Sequence, residues 1–590
     1  MAGAIADYAL IGDGHSAALV GRDGAVDWLC WPRFDSPACF AALLGDESHG
    51  CWRIAPLAAE PRVRRGYRGD TLVLETVFAT SAGEVALIDF MPVGGPVEGQ
   101  GGTLVRIVEG RRGRVAMRLS LTLRFGYGAE VPWVTRLPDD AGIRAVAGPD
   151  QVVLYSPVPV RGRGLSSEAR FTVAAGERLA FTLAHAPSHA APPGARPAEL
   201  VLEETEGFWA RWAAHGRVGG AHAGLVRRSL LTLKALIHAP TGGMVAAPTT
   251  SLPEQPGGTR NWDYRYCWLR DAALALRAFV PAGYLDEARA WRDWLHRAVT
   301  GSPGQLRIMY GLAGERHLAE WEVDWLPGHG GARPVRVGNG AAGQMQHDVF
   351  GVVMMALLEA REAGLPADPE SWRLQQALVT HLAGVWQAPD EGIWEVRGPR
   401  RHFTFSKVMA WVAVDRSIVA AERFGLPAPL AAWRGLRRRI HAAVCAEGVD
   451  PVRGCFTQSF GDMALDASLL QIPLVGFLPA DDTRVAATVA AIERELMPGG
   501  LVLRYDTGAG TDGLPPGEGA FLACSFWLVE VYVLQGRRAE AEALFARLAG
   551  LCNDVGLLAE EADPHSGALL GNFPQAFSHA ALVAAAARLA

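Results

Sequence analysis

The sequence is poor in the marks of several well-known chemistries. Eight cysteines are scattered over 590 residues, no two stand as CxxC, and most, such as Cys267 and Cys524, sit in apolar surroundings. That pattern gives neither a zinc site nor a disulfide framework, and predicts reduced, buried thiols in a cytoplasmic protein. No HExxH, no GxSxG and no GxxxxGK[ST] occurs, which removes the zincin, serine-hydrolase and phosphate-loop motifs. His238, His347 and His579 are not at metal-ligand spacing, so a structural role is expected for them. The start, Met1-Ala-Gly-Ala-Ile-Ala-Asp7, lacks the basic and apolar segments of a secretory leader. No apolar run is long enough to cross a membrane. An excess of one charge is also missing. The 56 basic and 62 acidic residues are well mixed, for a net charge of −6, so neither a nucleic-acid patch nor an acidic tail is expected.

What is present is a large apolar fraction, 49%, and a length that calls for at least two domains. The grammar changes once. Up to about Trp212 the chain reads as strand: 71–90, 102–124 and 168–183 alternate apolar and polar residues, with turns at Asp23-Gly24, Asp140-Ala-Gly142 and Ala175-Gly176. This predicts an N-terminal antiparallel β-sandwich over 1–215. The aromatic stretch Asp27-Trp28-Leu-Cys-Trp31-Pro32 is expected to pack in its core.

From about Ala221 the period becomes helical. Roughly twelve runs follow, at 221–238, 269–280, 285–299, 344–363, 369–386, 404–424, 427–445, 463–471, 480–496, 519–534, 539–552 and 574–589. Their connections alternate between short and long. The six long ones, 240–268, 300–343, 387–403, 446–462, 497–518 and 553–573, recur at every second link. In a barrel of six helical hairpins, an (α/α)6 barrel over 216–590, those six loops emerge at one end. Long loops on a rigid scaffold are where function concentrates.

Three of these loops hold the residues best suited to chemistry. The first ends in Asn261-Trp-Asp-Tyr264-Arg-Tyr-Cys-Trp268-Leu-Arg270-Asp271, where aromatics that can stack on sugar rings alternate with groups that can bind hydroxyls. The third holds Gly392-Ile-Trp394-Glu395-Val-Arg397-Gly398; apolar neighbours of Glu395 would favour its protonated form. The sixth holds Leu557-Leu-Ala-Glu560-Glu561. Taken alone, Asp271 reads equally as an acid that favours its helix start, and Glu395 and Glu560 read more readily as solvated carboxylates. Together, Asp271, Glu395 and Glu560 converge on one barrel mouth, and glycoside hydrolysis needs two carboxyl groups across the scissile bond. Gly338-Asn-Gly340-Ala-Ala-Gly343 fits GxGxxG, but no second strand follows, so dinucleotide binding is not expected.

These motifs carry a resemblance. Ile5-Ala-Asp-Tyr8 to Gly14, Asp23-Gly24-Ala-Val-Asp27-Trp28, Tyr264 to Asp271, Gly392 to Glu395, Arg504-Tyr505, Ala559-Glu560-Glu561 and Gly571-Asn-Phe-Pro574-Gln-Ala-Phe-Ser578-His579 resemble, in order, glycoside hydrolase family 15, which holds glucoamylases, glucodextranases and α,α-trehalases. The resemblance implies a β-sandwich followed by an (α/α)6 barrel, inverting hydrolysis, a small carbohydrate substrate, and chemistry without metal or organic cofactor. It implies Glu395 as general acid and Glu560 as general base. Arg270 and Asp271 would grip the terminal glucose, with Tyr264, Trp268 and Trp394 lining its site. Arg397 and Arg504 would bind substrate, and Ser578 would orient the base. Glucoamylases place a second Glu after the acid; here Val396 stands there, followed by Arg397-Gly398. That departure resembles the trehalase-type members and favours trehalose over starch. A sugar phosphorylase would lack the base, and a non-catalytic sugar-binding protein would lack acid or base.

Overall fold

The computed structural model describes residues 2–94, 101–299, 301 and 303–590; Thr300 and Ser302, in the predicted 300–343 connection, lie outside the described residues. Fifteen strands between Tyr8 and Pro187 form the N-terminal domain. The longest, Thr103–Thr122, serves two layers. Its first part pairs with Gly83–Phe90 and Arg178–Pro187, and its second with Cys51–Pro56 and Ser166–Ala174, all antiparallel. The strand changes partners around Gly110 and Gly113. A Cβ on Gly110 would stand 2.0 Å from the carbonyl oxygen of Ala174, so only glycine permits that close approach. The predicted sandwich and the core position of the Trp28 stretch both hold: Trp28 and Trp31 are 0% and 3% exposed. Trp28 Nε1 donates to the carbonyl of Pro248 at 2.8 Å, which fastens the sandwich to the first long connection.

One element differs from the sequence reading. Strand was expected to run to about Trp212, yet α1 (Ala198–His215) is a helix. Its buried Val201, Thr205, Trp209 and Ala213 recur every four residues, a helical period within a stretch otherwise rich in glutamate. Val201 and Leu202 cover Val73, Ile88, Phe90, Val105 and Ile107 of the sandwich.

The twelve predicted helical runs all appear: α2 (Ala223–Ala235), α3 (Leu269–Phe279), α4 (Leu285–Ala298), α5 (Asp348–Glu362), α6 (Pro369–Val385), α7 (Thr404–Phe424), α8 (Leu430–Glu447), α9 (Gln471–Leu474), α10 (Thr483–Glu495), α11 (Leu522–Leu534), α12 (Arg538–Ala549) and α13 (Ala576–Leu589). The eighth is short, a 3-10 turn at Ala467–Leu470 running into α9; Pro473 removes a backbone donor there. Helix α3 packs on α5, α5 on α7, α7 on the 467–474 segment, that segment on α11, α11 on α13, and α13 back on α3. This closes an inner ring, with α2, α4, α6, α8, α10 and α12 outside. The inner helices α5, α7, α11 and α13 are buried along most of their length, whereas α8 and α12 bury one stripe. A helix walled in on all sides has to be apolar all round. The long connections lead into the N-termini of the inner helices. All eight cysteines are free, six of them buried. Among the described residues no helix is long and apolar enough to cross a membrane.

Candidate active site

Arg270 and Asp271 occupy the first turn of α3 and are 8% and 2% exposed. Burial of two charged side chains is sustained by pairing. They contact each other at 3.2 and 3.4 Å, and Arg270 Nη1 donates to Glu395 Oε1 at 2.9 Å.

Glu395 lies on the 387–403 connection with φ of +52°, a left-handed conformation that costs a non-glycine residue about 1–3 kcal/mol. Gly392, three residues earlier, has φ of +67°, and a Cβ there would press on the Phe403 ring at 2.8 Å. The strained turn sends the Glu395 side chain into the cavity. Its Oε1 accepts from Trp268 Nε1 at 3.2 Å as well as from Arg270; among the described residues Oε2 has no donor. Burial raises the pKa of this carboxyl, against the pull of the Arg270 guanidinium.

Glu560 is 1% exposed and is held differently. Both of its oxygens accept: Oε1 from the Tyr264 hydroxyl at 2.6 Å, Oε2 from the backbone N–H of Asn572 at 3.2 Å. Gly571 has φ of +72°, and a Cβ on it would come within 2.5 Å of Glu560 Oε2, so this contact requires glycine. Burial pushes the Glu560 carboxyl up to about 7, opposed by Arg504 and by the Tyr264 hydrogen bond. His579 supports the segment from behind. Its Nε2 accepts from Leu558 N at 3.1 Å, and burial pushes the imidazole down to about 3, which keeps it the neutral acceptor that this contact requires. The structural role expected for it fits this position.

Tyr264 and Trp268, packed edge to face with centroids 5.3 Å apart, therefore bridge the two carboxyls. Each ring touches a different one. The cavity they face has about 450 Å³ of space, its open mouth included, with Trp262 and Trp394 as further walls and Glu395, Arg397 and Arg504 as polar lining. That suits a small polar ligand stacked on aromatic faces. Trp394 Nε1 is anchored on Asp466 at 3.0 and 3.1 Å. Arg397 forks onto Glu320 at 3.0 and 2.6 Å and lies over the Trp262 ring at 4.3 Å. Arg504 forks onto Glu518 at 3.0 and 2.6 Å.

Two expectations need correction. Ser578 does not touch the Glu560 carboxylate: its hydroxyl donates to the main-chain carbonyl of Glu560 at 3.4 Å. Tyr264 takes the place beside the carboxylate. Val396 does not face this cavity. It is 2% exposed and lines a separate small void with Ile393, Phe403 and Phe405, because the turn at Glu395 sends the next side chain behind the loop. The sequence reading also missed Trp262, Glu254 and Arg260, which line the cavity, and Glu518 beneath Arg504. Trp262 stands inside the aromatic run and was detectable; the others sit in loops without any spacing signal. The GxGxxG stretch is a turn tied to the domain interior, with Gly338 N donating to Asp263 at 3.1 Å, and α5 begins only at Asp348.

Comparison with known proteins agrees with this architecture. Residues 220–587 match the model of glycosyl hydrolases family 15, and residues 1–179 match a trehalase-like N-terminal domain. The chain is 38% identical to the trehalase of Mycolicibacterium smegmatis, over 98% of this chain and 90% of that protein. It is 33% identical to the trehalase of Thermoplasma volcanium, over 99% and 93%. A bacterial glucoamylase solved in complex with acarbose superposes with a TM-score of 0.73 at 12% identity, covering 99% of this chain and 94% of that one; this likeness shows the shared fold. The two-domain architecture and the length of these matches place the chain in glycosyl hydrolase family 15.

Proposed function

We propose that the protein is an exo-acting, inverting α-glucosidase whose preferred substrate is α,α-trehalose, with Glu395 as general acid and Glu560 as general base. The observation that carries this reading is the unequal treatment of the two carboxyls. Glu395 has both donors on one oxygen, which leaves Oε2 to carry a proton towards the glycosidic oxygen. Glu560 has a donor on each oxygen, and two hydrogen bonds to the charged form favour the carboxylate that activates water. The Tyr264–Trp268 pair stands between the two carboxyls, and an inverting pair needs roughly 6.5–9.5 Å between them to admit that water. Arg270 and Asp271 would hold the glucose at the cleaved bond. The reaction uses these side chains and water alone, and the free, buried thiols fit a cytoplasmic enzyme. Preference for trehalose rests on the curated relatives, which are named trehalases over nearly their full length.

The direct test is a comparison of kcat/KM for purified enzyme on trehalose, maltose, isomaltose and soluble starch. Trehalose is expected to lead. Silence on trehalose with activity on maltose or isomaltose would move the protein to the glucoamylases or glucodextranases.

Tyr264→Phe removes a hydrogen bond to a charged group, a loss of about 1.5–3 kcal/mol, or roughly ten- to hundredfold in kcat/KM. It also has a pH signature. The base must be ionised, so kcat/KM rises with pH through the Glu560 pKa, already pushed up to about 7. The lost bond had held that pKa down, so the acid limb should move to higher pH. An acid limb in the ordinary carboxylate range, unmoved by Tyr264→Phe, would speak against Glu560 as the base.

A further inference from the structure

Beneath Arg504 lies a carboxyl cluster that the mechanism above does not use. Glu254 and Glu561 are 1% and 0% exposed, and the side chains of Glu518 and Asp512 are 2% and 1% exposed. Among the described residues these four carboxyls pair with two guanidinium groups. Arg504 Nη2 stands 3.2, 2.6 and 3.6 Å from oxygens of Glu254, Glu518 and Glu561. Arg260 reaches Asp512 at 2.6 Å and Glu518 at 3.0 Å. Three of the carboxyls present oxygens close enough together to hold a cation, but the Arg504 guanidinium already stands against all three.

Two negative charges remain without a counter-charge, on side chains that are almost wholly buried although Glu254 and Arg260 border the cavity. Two oxygens are also without a donor: Oε1 of Glu254 and Oε1 of Glu561, both buried. A buried carboxylate anion with an unpaired oxygen carries a large penalty, whereas a neutral carboxyl leaves at most one O–H without an acceptor, which costs much less. Glu518, by contrast, takes both arms of the Arg504 fork, the geometry of an ionised partner.

We propose that Glu254 and Glu561 are positioning residues that each hold a proton, leaving Glu518 as the anion that anchors Arg504 and Glu560 as the anion free to act as base. This rests on the assignment of Glu560 as the base. Its consequence concerns Arg504, whose Nη1 has no hydrogen bond among the described residues and remains available to a sugar hydroxyl. With Glu254 and Glu561 neutral, one edge of the guanidinium is fixed and the other can serve substrate. When they ionise, Arg504 is drawn into the cluster and charge accumulates beside Glu560.

The surroundings give the direction. Burial pushes Glu254 up to about 8, helped by Glu560 and Glu518 and opposed by Arg504 and Arg260; Arg336 and the Tyr264 phenol also face it. Glu561 is raised by burial and by Glu254, Glu518 and Glu560, against Arg504, and the buried Cys524 thiol also faces it. Both carboxyls therefore hold their protons well above the ordinary carboxylate range, Glu254 up to about 8, and lose them as pH rises. This adds a fall in activity on the alkaline side that is separate from deprotonation of the acid.

Infrared difference spectroscopy of the ligand-free enzyme tests the protons directly, without any substrate. At pH 7 the wild type minus Glu254→Gln spectrum should contain a protonated-carboxyl C=O band that disappears as the wild type is titrated past about pH 8. Glu254→Gln should also move the alkaline fall of kcat/KM up by about one pH unit. Glu254→Ala, which deletes one of the acceptors of Arg504, should raise KM about tenfold with a smaller change in kcat. If Glu254→Gln does not fold, Glu561→Gln is read in the same way. Absence of the band at pH 7 overturns the proposal, and so does an alkaline fall unmoved in Glu254→Gln. Calorimetric uptake of one equivalent of magnesium or calcium with proton release, lost in Glu254→Gln, would overturn it too, since a cation would then balance the charge. A wild type inert on every α-glucoside would defeat the hydrolase reading and leave the band to be judged separately.

Discussion

Glu395→Gln is expected to lower kcat on trehalose by about 10²–10⁴-fold, the usual worth of a positioned general acid, while sparing much more of the activity on α-glucosyl fluoride. The contrast follows from the leaving groups. A sugar alkoxide has to be protonated as the bond breaks, and Oε2 of Glu395 would supply that proton; fluoride leaves with little help. Glutamine keeps the Oε1 acceptor used by Trp268 and Arg270, so substrate positioning should survive. Glu560→Gln should fall by a similar factor on both substrates, because water has to be activated whatever departs. Equal residual activity across the four combinations would mean that the two roles are misassigned.

The second large effect is on stability. Val396→Glu should destabilise the protein by about 3–5 kcal/mol, the cost of burying an uncompensated charge beside Glu391 and Asp466. The void that Val396 lines is bordered by Ile393, Phe403 and Phe405 and by the carboxyls of Glu391 and Asp466, with no Lys or Arg among its described lining residues. On sequence alone, a glutamate here looks like a way to restore a sugar-binding group and shift preference from trehalose to maltose. The backbone turn at Glu395 removes that option. Denaturant unfolding of the variant would show a lower midpoint; a variant as stable as the wild type, with improved kcat/KM on maltose, would place residue 396 in the sugar site after all. Substrate choice then has to come from groups that do reach the cavity, with Arg397 on Glu320 and the Trp262 wall as the nearest.

What could be read from the chain and what could not divide along physical lines. Helix period and the alternation of short and long connections located all twelve barrel helices, because an inner helix must be apolar throughout and an outer one striped. The same alternation placed Glu395 and Glu560 on loops at one end. Helix α1 was missed because its period-four stripe of Val201, Thr205, Trp209 and Ala213 is thin and follows directly on strand. Direction was the harder property. That Val396 turns inward depends on a positive φ at a non-glycine residue, which no periodicity announces. That Ser578 reaches a carbonyl is decided by the local path of the chain over 18 positions, and that Tyr264 reaches the carboxylate by a contact across 296 positions. The Glu254, Arg260, Glu518 and Asp512 cluster lies between two loops far apart in sequence, so it exists only in the fold.

The central claim, inverting cleavage of trehalose by the Glu395–Glu560 pair, has one decisive readout: the anomers of glucose in the first moments of hydrolysis, followed by proton NMR before mutarotation. Inversion at one anomeric carbon converts that glucose to the β form, while the departing glucose keeps its α configuration. The account therefore predicts equal amounts of α- and β-glucose at the start. Release of α-glucose alone would mean retention, and would contradict the assignment of Glu560 as a base acting through water.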